Sequence, residues 1–122
     1  YHYRQHAASA SHRALPPQSI DDQRRAAAEI RATAPDALRE SVNAFYYEKL
    51  VYLASMILRR ANADDYRTQL CELKVAIAAG EKDPQLGRNP QLPHSIQLAA
   101  FLTLHAPRLW RWACQNFLKD RQ

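Results

Sequence analysis

Glycine and cysteine each occur twice and methionine once in this 122-residue chain, and aromatic residues make up only 9% of it. Two glycines are too few for the many tight turns of an all-β fold, which leaves helices as the favoured element. Cys71 and Cys114 are far apart, with no Cys-x-x-Cys and no histidine at ligand spacing, which argues against a disulfide framework or a thiolate metal site. Both fall inside apolar helical patterns and are expected as buried free thiols of a protein in a reducing cytoplasm. Among themselves His2, His12, His94 and His105 form no i,i+4 pair and no cluster with acids, so no metal site is expected of them. No apolar run reaches the ~20 residues needed to span a bilayer. The expectation is a soluble or peripheral protein.

What is present favours a folded helical body. At 47% hydrophobic and 24% charged, the chain is too apolar for a disordered tail and long enough for one domain with a real core. Its formal charge is +5, from 17 Lys+Arg against 12 Asp+Glu, with Arg far more frequent than Lys. Such a balance suits a phosphate-rich partner or an anionic lipid surface, and equally a well-solvated helix face.

The pattern predicts about five helices in a small irregular bundle, an all-α class. Pro16-Pro17 make a stiff exit from a loop, and Ser19 with Asp22 three positions on resembles a capping box that opens a helix over 20–33, with Ile20, Ala27 and Ile30 on its apolar side. Pro35 breaks that run, and Asp36 is expected to cap a central helix over 37–60. Its stripe reads Leu38, Val42, Phe45, Tyr52, Leu53, Met56 and Ile57, widened by Tyr46, Tyr47 and Leu50. Asn62 restarts the chain as a third helix with Tyr66, Leu70, Leu73 and Ile77 on one face and Gly80 as its stop, pairing antiparallel with the second. Three prolines and Gly87 make 81–93 a loop. A fourth helix runs from about 94 to 104 with Ile96, Leu98, Ala99, Phe101 and Leu102, and Pro107 separates it from a fifth over 107–119.

Residues 1–11 carry the sharpest candidates. On a strand, Arg4 and His6 share a face with Gln5 opposite, and a small-residue loop bearing Ser9 and Ser11 follows. The segment reads as an extended stub leaving a sheet whose other strands are absent, which predicts a piece of a larger enzyme divided as 1–18, the end of a catalytic-domain strand and loop, and 19–122, a helical domain. Arg4 offers a fixed bidentate cation and His6 a donor when protonated, and Ser9 and Ser11 offer hydroxyls on the loop; the plainer reading is a solvated loop.

The run aromatic-x-Tyr-Arg-x-His-x-x-Ser-x-Ser, formed by Tyr1, Tyr3, Arg4, Gln5, His6, Ser9 and Ser11, resembles the segment closing the catalytic domain of bacterial family 2 glycosyltransferases. The resemblance implies a missing GT-A (α/β) catalytic domain as partner and a nucleotide-sugar donor whose sugar passes to a glycan or lipid-linked acceptor. It also implies a divalent cation, Mg or Mn, held by an Asp-x-Asp motif, a carboxylate base, and a place near the donor pocket where Arg4 and His6 hydrogen-bond the diphosphate and Ser9 and Ser11 contact a phosphate through a loop that closes over the donor. Ala8 departs from the family's usual small turn residue. The chain has no Asp-x-Asp; its paired acids, Asp21-Asp22 and Asp64-Asp65, are adjacent and expected at helix starts. The segment by itself is therefore expected to be inactive within an active parent.

Arg108, Trp110, Arg111 and Trp112 interleave basic and aromatic side chains on the last helix, a pattern that seats at a membrane interface or contacts an acceptor. Against it, Leu109, Trp110, Ala113, Cys114 and Phe117 also make an ordinary core stripe. A cytoplasmic location, at the inner membrane face if that helix seats there, is expected. The competing class is a stand-alone basic helical module binding protein or nucleic acid. Nucleic acid is not expected as a partner, because the basic residues are dispersed and no helix-turn-helix with a Gly-bearing turn is present.

Overall fold

Pro17 starts the first helix, two residues inside the stretch expected as loop. A proline at the first helical position has no N–H to leave unpaired and a φ already set for the helix, so the chain enters earlier than the Ser19 signal suggests. Ser19 lies within the first turn, where its hydroxyl accepts from Gln23 Nε2 at 3.4 Å instead of capping. The computed structural model describes residues 16–60 and 63–118, so the stub and the Asn62 cap lie outside the described residues. Its five helices are α1 (Pro17–Thr33), α2 (Arg39–Arg59), α3 (Arg67–Gly80), α4 (His94–His105) and α5 (Pro107–Ala113). Tight helical turns at Asp36–Leu38 and Ala63–Tyr66 lead into α2 and α3, and a wider π-type turn, Cys114–Leu118, follows α5. Among the described residues there is no strand, and no helix is long and apolar enough to cross a membrane.

α2 is the axis of the bundle, as its length and apolar content predict, but its buried side differs from the expected stripe. Leu38, Phe45 and Tyr52, seven residues apart, remain about half exposed, at 53%, 45% and 50%. The core side is Ala44, Tyr47, Leu50, Val51, Leu53, Ala54 and Ile57. At ~100° per residue, Leu50 and Tyr52 point roughly 200° apart, so one row is buried only by leaving the other outside. α1, α3, α4 and α5 all pack on the buried side of α2. Tyr47 meets the Ile77 carbonyl near one end of the pair and Arg60 lies over the Tyr66 ring at the other, which makes α2 and α3 antiparallel as expected. Ile20 and Ala27 of α1, Leu73 and Ile77 of α3, and Ala99 and Ala100 of α4 complete the interior.

Both glycines sit at one junction. Gly80 ends α3 without a left-handed backbone, so it is not the conformational stop that its position suggests. It is small for reasons of space: a Cβ there would lie 3.0 Å from Leu86 Cδ1 and from Tyr47 Cε1. Gly87 N–H donates to the Gly80 carbonyl at 2.9 Å, folding the 81–93 loop back onto the end of α3. Asn89, fully buried, then ties that loop to α2: its Nδ2 donates to the carbonyls of Glu40 at 2.8 Å and Gln85 at 2.9 Å, and its Oδ1 accepts from Gln91 N–H at 2.8 Å. This clasp fixes where α4 begins.

Tyr47 shows how the core reaches the same junction. Its hydroxyl donates to the Ile77 carbonyl at 3.0 Å, and burial, then the Glu81 charge, pushes the phenol up to about 12. In the unfolded chain the phenol returns to its ordinary value of 10.0. Below that value both states keep the proton and the stability is complete; as pH rises toward 12, only the unfolded state releases it, and stability falls by on the order of 2 to 3 kcal/mol. Tyr47→Phe should lack this slope while losing about 1 kcal/mol at neutral pH from the missing hydrogen bond. Urea unfolding across the alkaline range checks it: parallel stability curves for wild type and variant would contradict the assignment.

Candidate functional site

The outer sides of α4 and α5 gather the side chains that a partner would meet. Ala99, Ala100 and Thr103 turn α4 inward, and Trp110 and Cys114 do the same for the α5 end, so both helices direct their opposite sides away from α2. On α4 that outer side is His94, Leu98, Phe101 and His105, at spacings of three and four residues that place them in one row. On α5 it is Arg108, Leu109 and Trp112. Leu98, Phe101, Leu109 and Trp112 are 58%, 51%, 55% and 52% exposed, an unusual concentration of large apolar groups on two short helices.

The four residues singled out on the last helix divide between two environments. Trp110 is half-buried, with its Nε1 donating to Ser55 Oγ of α2 at 2.9 Å. Arg111 is also half-buried, its Nη2 reaching toward the Arg60 carbonyl at 3.5 Å. Arg108 and Trp112 face outward. The expected core stripe is corrected at Leu109, which lies outside, whereas Cys114 is buried and its thiol is pushed up by that burial, with Arg59 opposing. Cys71, expected inside, is exposed on α3. The α form of α5 ends at Ala113 and the π-type turn carries the helix on to Leu118, close to the end expected at about 119; the side chain of Phe117 and all of Lys119 lie outside the described residues.

Beside this face lies an open cleft of about 450 Å³ lined by Tyr47, Glu81, Gly87, Arg88, Gln97, Ala100 and Phe101. The His105 ring packs against Phe101, centroids 4.7 Å apart, and its Nε2 is 3.3 Å from Glu81 Oε2. The cations elsewhere are mostly engaged: Arg24 pairs with Glu72, Arg25 with Asp22 and Arg39 with Asp36, while Arg31 donates to Asn43 and lies over the Tyr46 ring. Arg88 and Arg108 have no salt bridge among the described residues.

Arg4, His6, Ser9 and Ser11 lie outside the described residues. The divalent cation implied by the resemblance does not fit the acids that are described. Asp21 accepts from Gln69 of α3 and Asp22 from Gln18 and Arg25, both beyond the first turn of α1, and Asp64 and Asp65 sit side by side in a tight turn. Among the described residues no three His, Cys, Asp or Glu side chains group as metal ligands. Sequence reasoning missed Leu98, Phe101 and Leu109 as surface residues because their spacing is that of any amphipathic helix, and only the small Ala99, Ala100 and Thr103 opposite reveal which side is inside. Comparison with protein families, with curated proteins and with solved structures finds no match for this chain.

Proposed function

We propose that this chain is the helical C-terminal segment of a family 2 glycosyltransferase, supporting a GT-A catalytic domain and positioning it at the acceptor side while the chemistry resides elsewhere. The parent moves a sugar from a nucleotide-sugar donor, with a Mg or Mn ion, to a glycan or lipid-linked acceptor in the cytoplasm. The observation that carries the reading is the run Tyr1, Tyr3, Arg4, Gln5, His6, Ser9, Ser11 directly ahead of a helical body. In that setting Arg4 supplies a fixed bidentate cation and His6 a donor to the departing diphosphate, with Ser9 and Ser11 on the loop that closes over it.

The coding region ahead of Tyr1 tests the proposal. The expected result is an open frame continuing through alternating strand and helix units to an Asp-x-Asp motif. A start codon immediately before Tyr1 would overturn it.

A further inference from the structure

We infer that the outer face of α4 and α5 is a docking surface for an anionic phospholipid bilayer, with Leu98, Phe101, Leu109 and Trp112 entering the headgroup boundary and Arg88 and Arg108 meeting lipid phosphate. The apolar half of the argument is exposure: four large side chains, each more than half accessible, lie on consecutive helices whose other sides are committed to α2. Tryptophan and leucine beside arginine form the composition that settles at the level of the headgroups, because the rings leave water while the guanidinium stays hydrated.

The charge half comes from where the acids are. Eleven of the twelve carboxylates fall within residues 21–83 and the twelfth is Asp120, so 84–119 contains none, while Arg88, Arg108, Arg111 and Lys119 lie in that stretch. Arg24, Arg25 and Arg39 have carboxylate partners and Arg31 an amide one, whereas Arg88 and Arg108, like Arg59, Arg67, Lys74 and Lys82, have no salt bridge among the described residues. Glu81 reaches the edge of this face from the end of α3, where its carboxylate lies against His105, and the outer residues of α4 and α5 themselves add Arg108 and no acid, so the partly apolar face complements a negative lipid surface. It suits a second copy of itself poorly, since like charges would then oppose one another. No helix needs to cross the bilayer for this contact, and among the described residues none is able to. The inference names the partner on the acceptor side of the proposed function and draws its biological setting from it.

Vesicle binding by the full 122-residue chain tests it independently of sugar transfer. In co-sedimentation, binding to phosphatidylcholine vesicles containing phosphatidylglycerol should exceed binding to pure phosphatidylcholine by roughly 10-fold or more and weaken with added salt. A double variant, Leu98→Ser with Leu109→Ser, should lose roughly 10-fold of that binding and keep its helical melting curve, because both side chains are more than half exposed. Phe45→Ser on the outer side of α2 should bind as wild type does. In a Trp110→Phe chain, where Trp112 is the remaining tryptophan, emission should shift to the blue on anionic vesicles.

Wild type left in the supernatant overturns the inference, as does a double variant that sediments as well as wild type. So does a dimer, seen by light scattering, that the double variant dissociates while vesicles bind neither chain. Vesicle binding combined with a start codon at Tyr1 would remove the glycosyltransferase setting and keep the lipid contact; the reverse pair would do the opposite.

Discussion

A Gly87→Ala chain should unfold at a midpoint roughly 10 to 15 °C below wild type, corresponding to about 3 kcal/mol or more. The new Cβ would lie 2.3 Å from the Glu81 carbonyl oxygen and 2.6 Å from that of Gly80. Both are backbone atoms at the end of α3 and cannot rotate aside as a side chain does, so relief requires the loop to lift. Lifting it breaks the Gly87 N–H bond to the Gly80 carbonyl and draws Asn89 away from Glu40. Gly80→Ala is the internal control. There the nearest atoms include the end of Leu86, which can shift, and alanine is favoured over glycine within a helix by about 1 kcal/mol, so its loss should be less than half as large. A Gly87→Ala midpoint within about 2 °C of wild type would mean that the loop is not seated on α3 as described. Because the same loop sets where α4 begins, this variant should also weaken vesicle binding.

The helical class, the prolines that bound α1 and α4, the antiparallel pairing of α2 with α3, and the Leu73 and Ile77 face were legible from spacing and turn residues alone. The inner side of α2 was not, because that helix carries two apolar rows. Periodicity weighs Phe45 and Tyr52 like Leu50 and Ile57, while Asn43, Ala44 and Ala54 hold core positions for want of bulk or by hydrogen bonding. The same ambiguity concealed the α4 and α5 face: Leu98 and Phe101 read as core until Ala99, Ala100 and Thr103 are seen to occupy it. Gly80 was legible as a helix end but not as a point of close approach, which is a property of Leu86 and Tyr47 rather than of its own backbone. Trp110 and Trp112 are both aromatic on one short helix, and only the Ser55 hydroxyl, 55 residues away in sequence, separates them into packed and exposed.

Arg4→Ala in the polypeptide translated from the whole reading frame should reduce sugar transfer by roughly 100-fold or more while its melting midpoint stays within about 2 °C of wild type. A guanidinium that meets the developing charge of the diphosphate acts when the sugar leaves, so the loss should fall on turnover. His6→Ala should slow the same step less steeply, because the role proposed for it is a single hydrogen bond.

The wild-type arm of that experiment bears on the central claim most directly: transfer of a labelled sugar from a panel of nucleotide sugars, with Mg or Mn present, by the folded whole-frame product onto glycan or lipid-linked acceptors. The account predicts transfer from at least one donor and its collapse in Arg4→Ala. A folded product that transfers from none of them, or an Arg4→Ala enzyme with unaltered kinetics, would contradict it.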